Sequence, residues 1–381
     1  MFESTTHGYD TKDYKQVDRR LGDNADFAAY VKKAHELGIK VVVDGVFNHT
    51  GREFFAFRDI QEKREQSPYC GWYKGIWFGG NTCYNDGFSY EAWRNCFELV
   101  NLNLQNQQVR DYLLDVIDFW IDEFDIDGIR FDVGNEVSHR FLKELRRQLK
   151  SVKPDLYLLG EIWHDASQWL GGDEYDSVMN YPLTSGIQDF FLDQAAEKDE
   201  FEYMVNRCYT MYMQQNNNVI FNLLDSHDTE RLMNRCQDLD IFYQQLAILF
   251  TMPGSPCIYY GTEIALEGAH DPDCRRCMPW DEIDSAENQK KIELMKSLIR
   301  MRIQEDACRS LYFDFPHKYS QKRCVEYRKL NLDGKWIEVL LNCGSEPIEI
   351  QGQGEILFAR RCEGNSLDVR GTLIRRLPST V

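Results

Sequence analysis

The sequence predicts an α/β protein built on a (β/α)8 barrel of the TIM type, followed by a C-terminal all-β sandwich domain. The first observation behind this prediction is a recurring short apolar run that ends in a polar or acidic residue, which is typical of a buried parallel strand. The second is a helical pattern between successive runs, because strand alternating with helix implies a parallel sheet. The third is the acidic residues at the strand ends, where barrel enzymes carry their chemistry.

Six apolar runs can be counted along the chain. They are GIKVVVD (38–44), DIDGIRFD (125–132), DLYLLGE (155–161), YDSVMN (175–180), NVIFNLLD (218–225) and PCIYYG (256–261). A closed barrel of this type needs eight strands. The sequence therefore predicts that the first two strands are missing from the chain and would precede Met1.

The first helical pattern, DNADFAAYVKKAHELG, illustrates how the helices are recognised. Asp23 or Asn24 can cap its start, and Gly38 ends it. The apolar stripe along its buried face consists of Phe27, Tyr30, Val31, Ala34 and Leu37. Further helices are predicted in NQQVRDYLLDVIDFWIDEF, VSHRFLKELRRQLK and ENQKKIELMKSLIRMR.

Two further segments complete the predicted domain organisation around a barrel at 1–305. Residues 46–101 form an excursion that is rich in aromatic residues and far longer than an ordinary strand-to-helix connection. We expect it to be a small subdomain, most of whose rings form its own core while some stack on a flat ligand face such as a sugar. Residues 306–381 alternate around Asp333-Gly334, which predicts a hairpin and an all-β domain without a catalytic cluster.

Composition excludes several classes of function. The formal net charge of −18 repels nucleic acid and anionic membranes, so a neutral or cationic ligand is expected. No apolar run approaches membrane-spanning length. The 12 Cys are scattered, which favours reduced thiols in the cytoplasm, and the lone pair Cys274 and Cys277 lacks the second pair that a zinc site would need.

Polar groups that can do chemistry follow four of the predicted strands. They are Asp44, Asn48 and His49; Arg130, Asp132, Asn135 and Glu136; Glu161; and His227 and Asp228. Arg130 and Asp132 are two residues apart on a strand and point to the same side, so the guanidinium can hold the carboxylate ionised, as a nucleophile requires. Glu161 has apolar neighbours, which favour the protonated acid.

Paired carboxylates from different strands suit cleavage of a glycosidic bond, in which one carboxylate attacks and another protonates the leaving oxygen. The four ordered stretches resemble the signature regions of glycoside hydrolase family 13, the α-amylase family, from the first residues to about position 280. The resemblance implies that Asp132 is the nucleophile, Glu161 the general acid/base and Asp228 the third carboxylate. It implies a retaining mechanism, with the carboxyl groups about 5–5.5 Å apart.

The same resemblance assigns the substrate-binding residues. His49 and His227 would hydrogen-bond sugar hydroxyls, Arg130 would orient Asp132, and Tyr9 would stack on the sugar. Asp44, Glu136 and Trp163 complete the predicted substrate-binding set. No cofactor is required, and Asn48 is a candidate calcium ligand because some amylases bind calcium at this position.

Within the family, GEIWHDASQWLGGDEYDSVMNYP, DVGNEV and GAHDPDCRRCMPW are similar to the neopullulanase, cyclomaltodextrinase and maltogenic amylase group. These enzymes act on maltodextrins, cyclodextrins and pullulan, usually inside the cell. LVNLN (99–103) departs from the Met-Pro-Lys-Leu-Asn common in that group, so the preferred glucan stays open. The group carries an upstream β-sandwich domain that supports homodimers, and the comparison places Met1 near the end of the second barrel strand.

Three functions are compatible with these residues. The first is an α-glucan hydrolase represented by an N-terminally incomplete chain. The second is a transglycosylase that uses the same site, with Glu136 influencing the partition between water and sugar. The third is an inactive barrel with weak glucan binding, because a barrel without two strands exposes sheet edges.

Overall fold

The computed structural model describes residues 1–378, and its packing divides them into two compact units. The first unit contains Met1–Ile162 and Ala166–Val178. The second contains Trp163–Asp165 and the chain from Met179 onward. These units are defined by packing, whereas the limits 1–305, 46–101 and 306–381 come from sequence patterns and stay predictions.

The first unit is built on a parallel sheet. Its helices are α1 (Asn24–Glu36), α2 (Phe55–Lys63), α3 (Gln107–Phe124) and α4 (His139–Val152). Its strands are β1 (Phe2–Ser4), β2 (Thr11–Val17), β3 (Val42–Gly45), β4 (His49–Gly51), β5 (Leu99–Asn101), β6 (Gly128–Phe131), β7 (Tyr157–Gly160) and β8 (Ser177–Val178). The strands β3, β6, β7 and β8 pair in that order and all run parallel. The first four predicted strands are therefore confirmed.

Helix α1 begins and ends as the sequence predicts. Asp23 is its N-cap and forms a capping box with Asp26, and Gly38 follows its end with a φ of +73°. Its buried residues are Phe27, Val31 and Ala34. Tyr30 and Leu37 were predicted in the same stripe but are 62% and 65% exposed, so the buried stripe is narrower than expected.

The first residues of the chain form a short strand, β1, which is followed by the loop that carries Tyr9. Strand β1 pairs antiparallel with β2. The Phe2 ring stacks on the indole of Trp120 with centroids 4.3 Å apart and planes inclined by 2°. The indole Nε1 of Trp120 donates a hydrogen bond of 2.7 Å to the backbone oxygen of Tyr14. This packing fixes both strands that flank the loop carrying Tyr9.

The long excursion after β3 has an aromatic core, as predicted. Phe57, Phe88 and Tyr90 are at most 5% exposed, and the rings of Phe57 and Tyr90 meet edge to face at 4.9 Å. Strands β4 and β5 pair antiparallel at the base of this segment. Trp77 is 63% exposed and is thus the kind of ring that can contact a ligand.

The second unit combines helices with two sheets. Its helices are α5 (Tyr181–Leu192), α6 (Lys198–Thr210), α7 (Gln214–Asn217), α8 (Leu232–Cys236), α9 (Leu239–Thr251) and α10 (Ala286–Gln304). Its strands are β9 (Phe221–Asn222), β10 (Ser255–Pro256), β11 (Phe313–Asp314), β12 (Cys324–Leu330), β13 (Trp336–Asn342), β14 (Ile348–Glu349), β15 (Glu355–Glu363) and β16 (Ser366–Arg376). Strands β9 and β10 are parallel, and Met179 forms a parallel bridge to Phe221.

The last predicted barrel strand, at 256–261, lies earlier in the structure and ends at Pro256. The following segment leaves the sheet, and the rings of Tyr259 and Tyr260 instead lie 4.4 Å and 4.7 Å from the guanidinium carbon of Arg231. This cation–π packing accounts for the shorter strand.

The predicted all-β region is confirmed as an antiparallel sheet. Strands β11, β12, β13, β16 and β14 are neighbours in that order, and β15 also pairs with β16. The hairpin around Asp333-Gly334 joins β12 to β13 in the predicted place. Across residues 1–378, the helices lack the combination of length and apolar character that crossing a membrane requires.

Candidate active site

Hydrogen bonding of the parallel sheet continues past the strand ends and positions two acidic residues. The amide of Asp132 donates to the Gly45 oxygen at 3.2 Å, and the amide of Glu161 donates to the Phe131 oxygen at 3.0 Å. Because β3, β6 and β7 are parallel neighbours, the residues after them emerge at the same edge. Asp132 and Glu161 are therefore adjacent although 29 positions separate them in the sequence.

Arg130 lies at the centre of the carboxylates of the first unit. Its Nη1 is 2.8 Å from each carboxylate oxygen of Asp44 and 3.3 Å from Oδ1 of Asp132. Its Nη2 is 3.0 Å from Oε2 of Glu161. Burial alone would lower the pKa of Arg130, but the carboxylates of Asp44, Glu161 and Asp132 raise it well above its usual value. One permanent cation thus contacts three acidic side chains.

The surroundings of Glu161 are more polar than the sequence suggested. Its Oε2 accepts a 2.9 Å hydrogen bond from the amide of Val133 in addition to the contact with Arg130. Val133 has a φ of +47°, which is a strained conformation for a β-branched residue. The turn after β6 therefore aims a backbone donor at the predicted acid. Polar contacts therefore surround Glu161 in addition to its apolar neighbours in the sequence.

Gly134 continues this turn and packs directly against the Glu161 backbone. A Cβ at this position would lie 3.0 Å from the Glu161 nitrogen, 3.1 Å from its oxygen and 3.1 Å from the Tyr175 hydroxyl. The Tyr175 hydroxyl donates to the Gly134 oxygen at 2.9 Å, and Tyr175 is only 1% exposed. The close approach of the two strand ends thus requires a residue without a side chain.

Tyr9 connects the first loop of the chain to this cluster. Its hydroxyl donates a 2.9 Å hydrogen bond to Oδ2 of Asp44. The loop is held by Asp10, whose Oδ2 accepts from the Thr6 amide at 2.9 Å and from the Thr6 hydroxyl at 3.0 Å. Tyr9 therefore reaches Arg130 through Asp44.

His49 and Asn48 are both buried, at 1% exposure each. Burial lowers the pKa of His49 to about 4, so the imidazole is neutral at neutral pH. Apart from the Tyr9 backbone, the ring nitrogens have no hydrogen-bond partner among residues 1–378, and a buried polar group with so few protein partners is one that a ligand hydroxyl or a water can satisfy. Asn48 donates from Nδ2 to Oε2 of Glu136 at 3.3 Å.

His227 and Asp228 lie in the second unit. Nε2 of His227 is 3.1 Å from Oδ2 of Asp228. Arg275 contacts both residues: its Nη2 is 3.2 Å from Oδ1 of Asp228, and its Nε donates to the His227 backbone oxygen at 3.0 Å. The Cys274 thiol donates to the same oxygen at 3.1 Å. A loop 47 residues downstream therefore positions the predicted third carboxylate.

Trp163 also belongs to the second unit. Its ring stacks on Tyr181 with centroids 3.8 Å apart and planes inclined by 8°, while 47% of the residue is exposed. It borders a surface groove of about 790 Å³ that Tyr203 also lines. A fixed, exposed aromatic ring is a suitable surface for the apolar face of a sugar.

Two places bear on metal binding. The Oδ1 of Asn48 has no hydrogen-bond partner within residues 1–378, but calcium needs about six to eight oxygen ligands, and the calcium assignment stays a prediction. Separately, Asp199, Glu202 and His317 place one ligand atom each within 4.8 Å of one another on the surface.

The structure thus groups most of the predicted residues in the first unit. Around Arg130 it gathers Tyr9, Asp44, Asp132 and Glu161. Asn48 and Glu136 contact each other, and Trp163, His227 and Asp228 are in the second unit. Sequence reasoning missed the contribution of Val133, Gly134, Cys274 and Arg275. The CRRC motif by itself indicates no more than a zinc pattern that lacks its second cysteine pair.

Comparisons with known proteins all indicate the same family. The family description "Alpha amylase, catalytic domain" matches residues 1–313. A cyclomaltodextrinase from Bacillus sp. is 41% identical over 350 residues, which cover 90% of this chain and 61% of that protein. The intracellular maltogenic amylase of Bacillus subtilis is 43% identical over 303 residues, 79% of this chain and 50% of that protein. The chain thus spans about three fifths or less of the length of these relatives.

A solved structure extends the comparison to the fold. The ligand-free cyclic α-maltosyl-(1→6)-maltose hydrolase of Arthrobacter globiformis aligns with a TM-score of 0.87 and 29% identity. The alignment covers 99% of this chain and 84% of that chain. The fold class predicted from the sequence, a barrel with a C-terminal all-β domain, is confirmed at this coverage.

Proposed function

Since the chain belongs to the α-amylase family, we propose that it is a retaining glycoside hydrolase that cleaves α-1,4-glucosidic bonds, and α-1,6 bonds where the substrate contains them. The proposed substrates are maltodextrins, cyclodextrins, pullulan and starch. The observation that carries the proposal is the arrangement around Arg130, whose guanidinium contacts Asp44, Asp132 and Glu161.

In the proposed reaction Asp132 attacks the anomeric carbon while Glu161 protonates the departing glycosidic oxygen. A glycosyl-enzyme ester forms, and Glu161 then takes a proton from the water that hydrolyses it. Contact with Arg130 favours the ionised form of Asp132 and fixes its orientation. The same guanidinium contacts Glu161, so the assignment of nucleophile and acid follows the pattern of the α-amylase family. Asp228 is proposed as the third carboxylate, which contacts sugar hydroxyls.

The substrate-binding roles follow from chemistry. A neutral His49 has one N–H donor and one acceptor nitrogen, which suits hydrogen bonding to a sugar hydroxyl. The Tyr9 ring is proposed to stack on the sugar while its hydroxyl holds Asp44. We propose a cytoplasmic location, supported by a relative that is named as intracellular.

The test uses the full chain with maltotriose, β-cyclodextrin and pullulan, and follows released reducing ends together with the anomeric configuration of the first product by proton NMR. We expect an α-configured product and a rate lower by a factor on the order of 10⁴ in Asp132→Asn. Asp127→Asn is the matched control. Asp127 is also a buried acid next to β6, but it binds His35 and Lys40.

Three results would count against the proposal. They are a β-configured product, an Asp132→Asn variant that keeps its rate, and a folded wild-type chain that binds maltotriose without turnover. Products longer than maltotriose would indicate instead that glucosyl transfer to sugar dominates.

A further inference from the structure

The loop that contains CRRC carries two thiols in different environments. Cys274 is fully buried and Cys277 is exposed, and both are free thiols. They are separated by two residues, the spacing found in thiol–disulfide exchange motifs. An exposed cysteine next to a buried one can react with a small disulfide first and then be resolved by its neighbour.

Cys274 has a structural task that a disulfide would end. Its thiol donates to the His227 backbone oxygen at 3.1 Å, and Asp228 follows His227 in the chain. A sulfur in a disulfide has no hydrogen to donate, and an S–S bond of about 2.05 Å requires the Cys274 sulfur to turn towards Cys277. Oxidation therefore removes one of the contacts that hold the segment carrying Asp228.

The neighbouring contacts would be disturbed at the same time. Arg275 lies between the two cysteines, and it contacts the His227 oxygen and the Asp228 carboxylate. The loop is otherwise fixed, since Oδ2 of Asp273 accepts from the Ala269 amide at 2.7 Å. Because the loop is held in this way, a new bond between Cys274 and Cys277 must displace Arg275, which lies between them.

We propose that Cys274 and Cys277 form a thiol–disulfide modification site at which oxidised glutathione, or another small disulfide, closes an intramolecular disulfide and loosens the segment that carries His227 and Asp228. The structural part of this inference is independent of the proposed hydrolase function. The expected fall in glucan hydrolysis rests on that function.

The electron balance of the reaction is complete. The Cys277 thiol loses its proton, and the thiolate attacks one sulfur of oxidised glutathione, releasing one glutathione thiol. Cys274 then loses its proton and attacks the Cys277 sulfur of the mixed disulfide, which releases a second glutathione thiol. The two cysteines together lose two electrons, and one glutathione disulfide gains them and is reduced. Burial raises the pKa of the Cys274 thiol, so the second step is the slower one.

The experiment treats the full chain with oxidised glutathione and records three quantities. Peptide mass spectrometry detects a cross-link from 274 to 277, hydrogen exchange follows the amides of 226–229, and reducing-end release measures hydrolysis. In the wild type we expect the cross-link, faster exchange at 226–229 and a rate reduced roughly tenfold to a hundredfold. Dithiothreitol should reverse all three changes.

Four variants make the test specific. Cys277→Ser should keep both its exchange and its rate after oxidation. Cys96→Ser removes a different exposed thiol and should respond like the wild type. Cys274→Ser adds a positioning control, because its hydroxyl can still donate to the His227 oxygen. It should keep kcat and, on oxidation, stop at the mixed disulfide of Cys277 with glutathione without forming a cross-link, whereas Cys274→Ala should lower kcat.

The outcomes separate the two proposals. If Cys96 acquires glutathione while no link from 274 to 277 forms, the modification site is refuted. If the link forms and exchange at 226–229 is unchanged, the coupling to Asp228 is refuted. If the reduced chain does not hydrolyse glucan, the proposed function fails, and the cross-link and exchange results still decide the modification site.

Discussion

Arg130→Lys is the substitution that tests the arrangement of carboxylates most directly. The Nη1 of its guanidinium donates to Asp44 and Asp132, and its Nη2 contacts Glu161. A lysine keeps the positive charge but has a single nitrogen, so it cannot hold acids on both sides. Losing one charge-assisted hydrogen bond costs about 1.5–3 kcal/mol. At about 1.4 kcal/mol per tenfold in rate, kcat/KM should fall roughly ten- to hundredfold.

Arg110→Lys is the matched control in the same unit. Arg110 is 1% exposed; its Nε contacts Glu144 at 2.9 Å, and its Nη1 donates to the backbone oxygens of Leu104 and Gln105. This variant loses comparable hydrogen bonds without touching the carboxylate cluster, so it should lower Tm and leave kcat/KM per folded molecule unchanged. The assay is maltotriose hydrolysis, with the folded fraction measured by circular dichroism at the same temperature.

The reasoning would be refuted if Arg130→Lys stayed within about threefold of wild-type kcat/KM, because that would mean less than one charge-assisted contact had been lost. It would also fail if Arg110→Lys lost as much activity. In that case the fall would report general destabilisation of the unit rather than the position of Arg130.

The remaining predictions concern stability and the turn after β6. Because the pKa of His49 falls from 6.5 to about 4 on folding, the unfolded state binds more protons, and urea titrations should show stability decreasing by roughly 3 kcal/mol as pH falls through that window. His49→Gln should flatten this slope, and the exposed His270→Gln should not. Gly134→Ala should lower stability by about 1–3 kcal/mol and also reduce kcat, whereas Gly171→Ala, whose Cβ meets nothing closer than 3.6 Å, should do neither. Arg375→Met removes one of the two cations that pair with the fully buried Glu338 in β13 and leaves only Lys318, so Tm should fall, by an amount equivalent to at most about 3–5 kcal/mol, while kcat per folded molecule is retained.

The strand ends could be predicted from the sequence because their information is local. An apolar run followed by an acid identifies both the strand and the edge at which the acid emerges, and this placed Asp44, Asp132 and Glu161 correctly at one edge. Pairing of Arg130 with Asp132 followed from their spacing. Its closer contacts with Asp44 and Glu161 did not, because they depend on the packing of three strands.

Other features were beyond sequence reasoning for identifiable physical reasons. Nothing in the identity of Val133 indicates a positive φ, which the fold imposes against the preference of a β-branched residue. The packing of Phe2 on Trp120 depends on a separation of 118 positions in the chain. The role of Cys274 depends on a hydrogen bond to the backbone oxygen of His227. Every residue has such an oxygen, so the sequence does not indicate which one a side chain will contact.

In both units an arginine guanidinium contacts a predicted catalytic acid. In the first unit Arg130 contacts Asp132 at 3.3 Å, and in the second Arg275 contacts Asp228 at 3.2 Å. A guanidinium does not lose its proton in the working range of an enzyme, so both cations stay charged as pH changes between 5 and 8. His49 is neutral throughout that range as well. Substituting His49 should therefore change the size of kcat/KM without moving the limbs of its pH profile between pH 5 and 8.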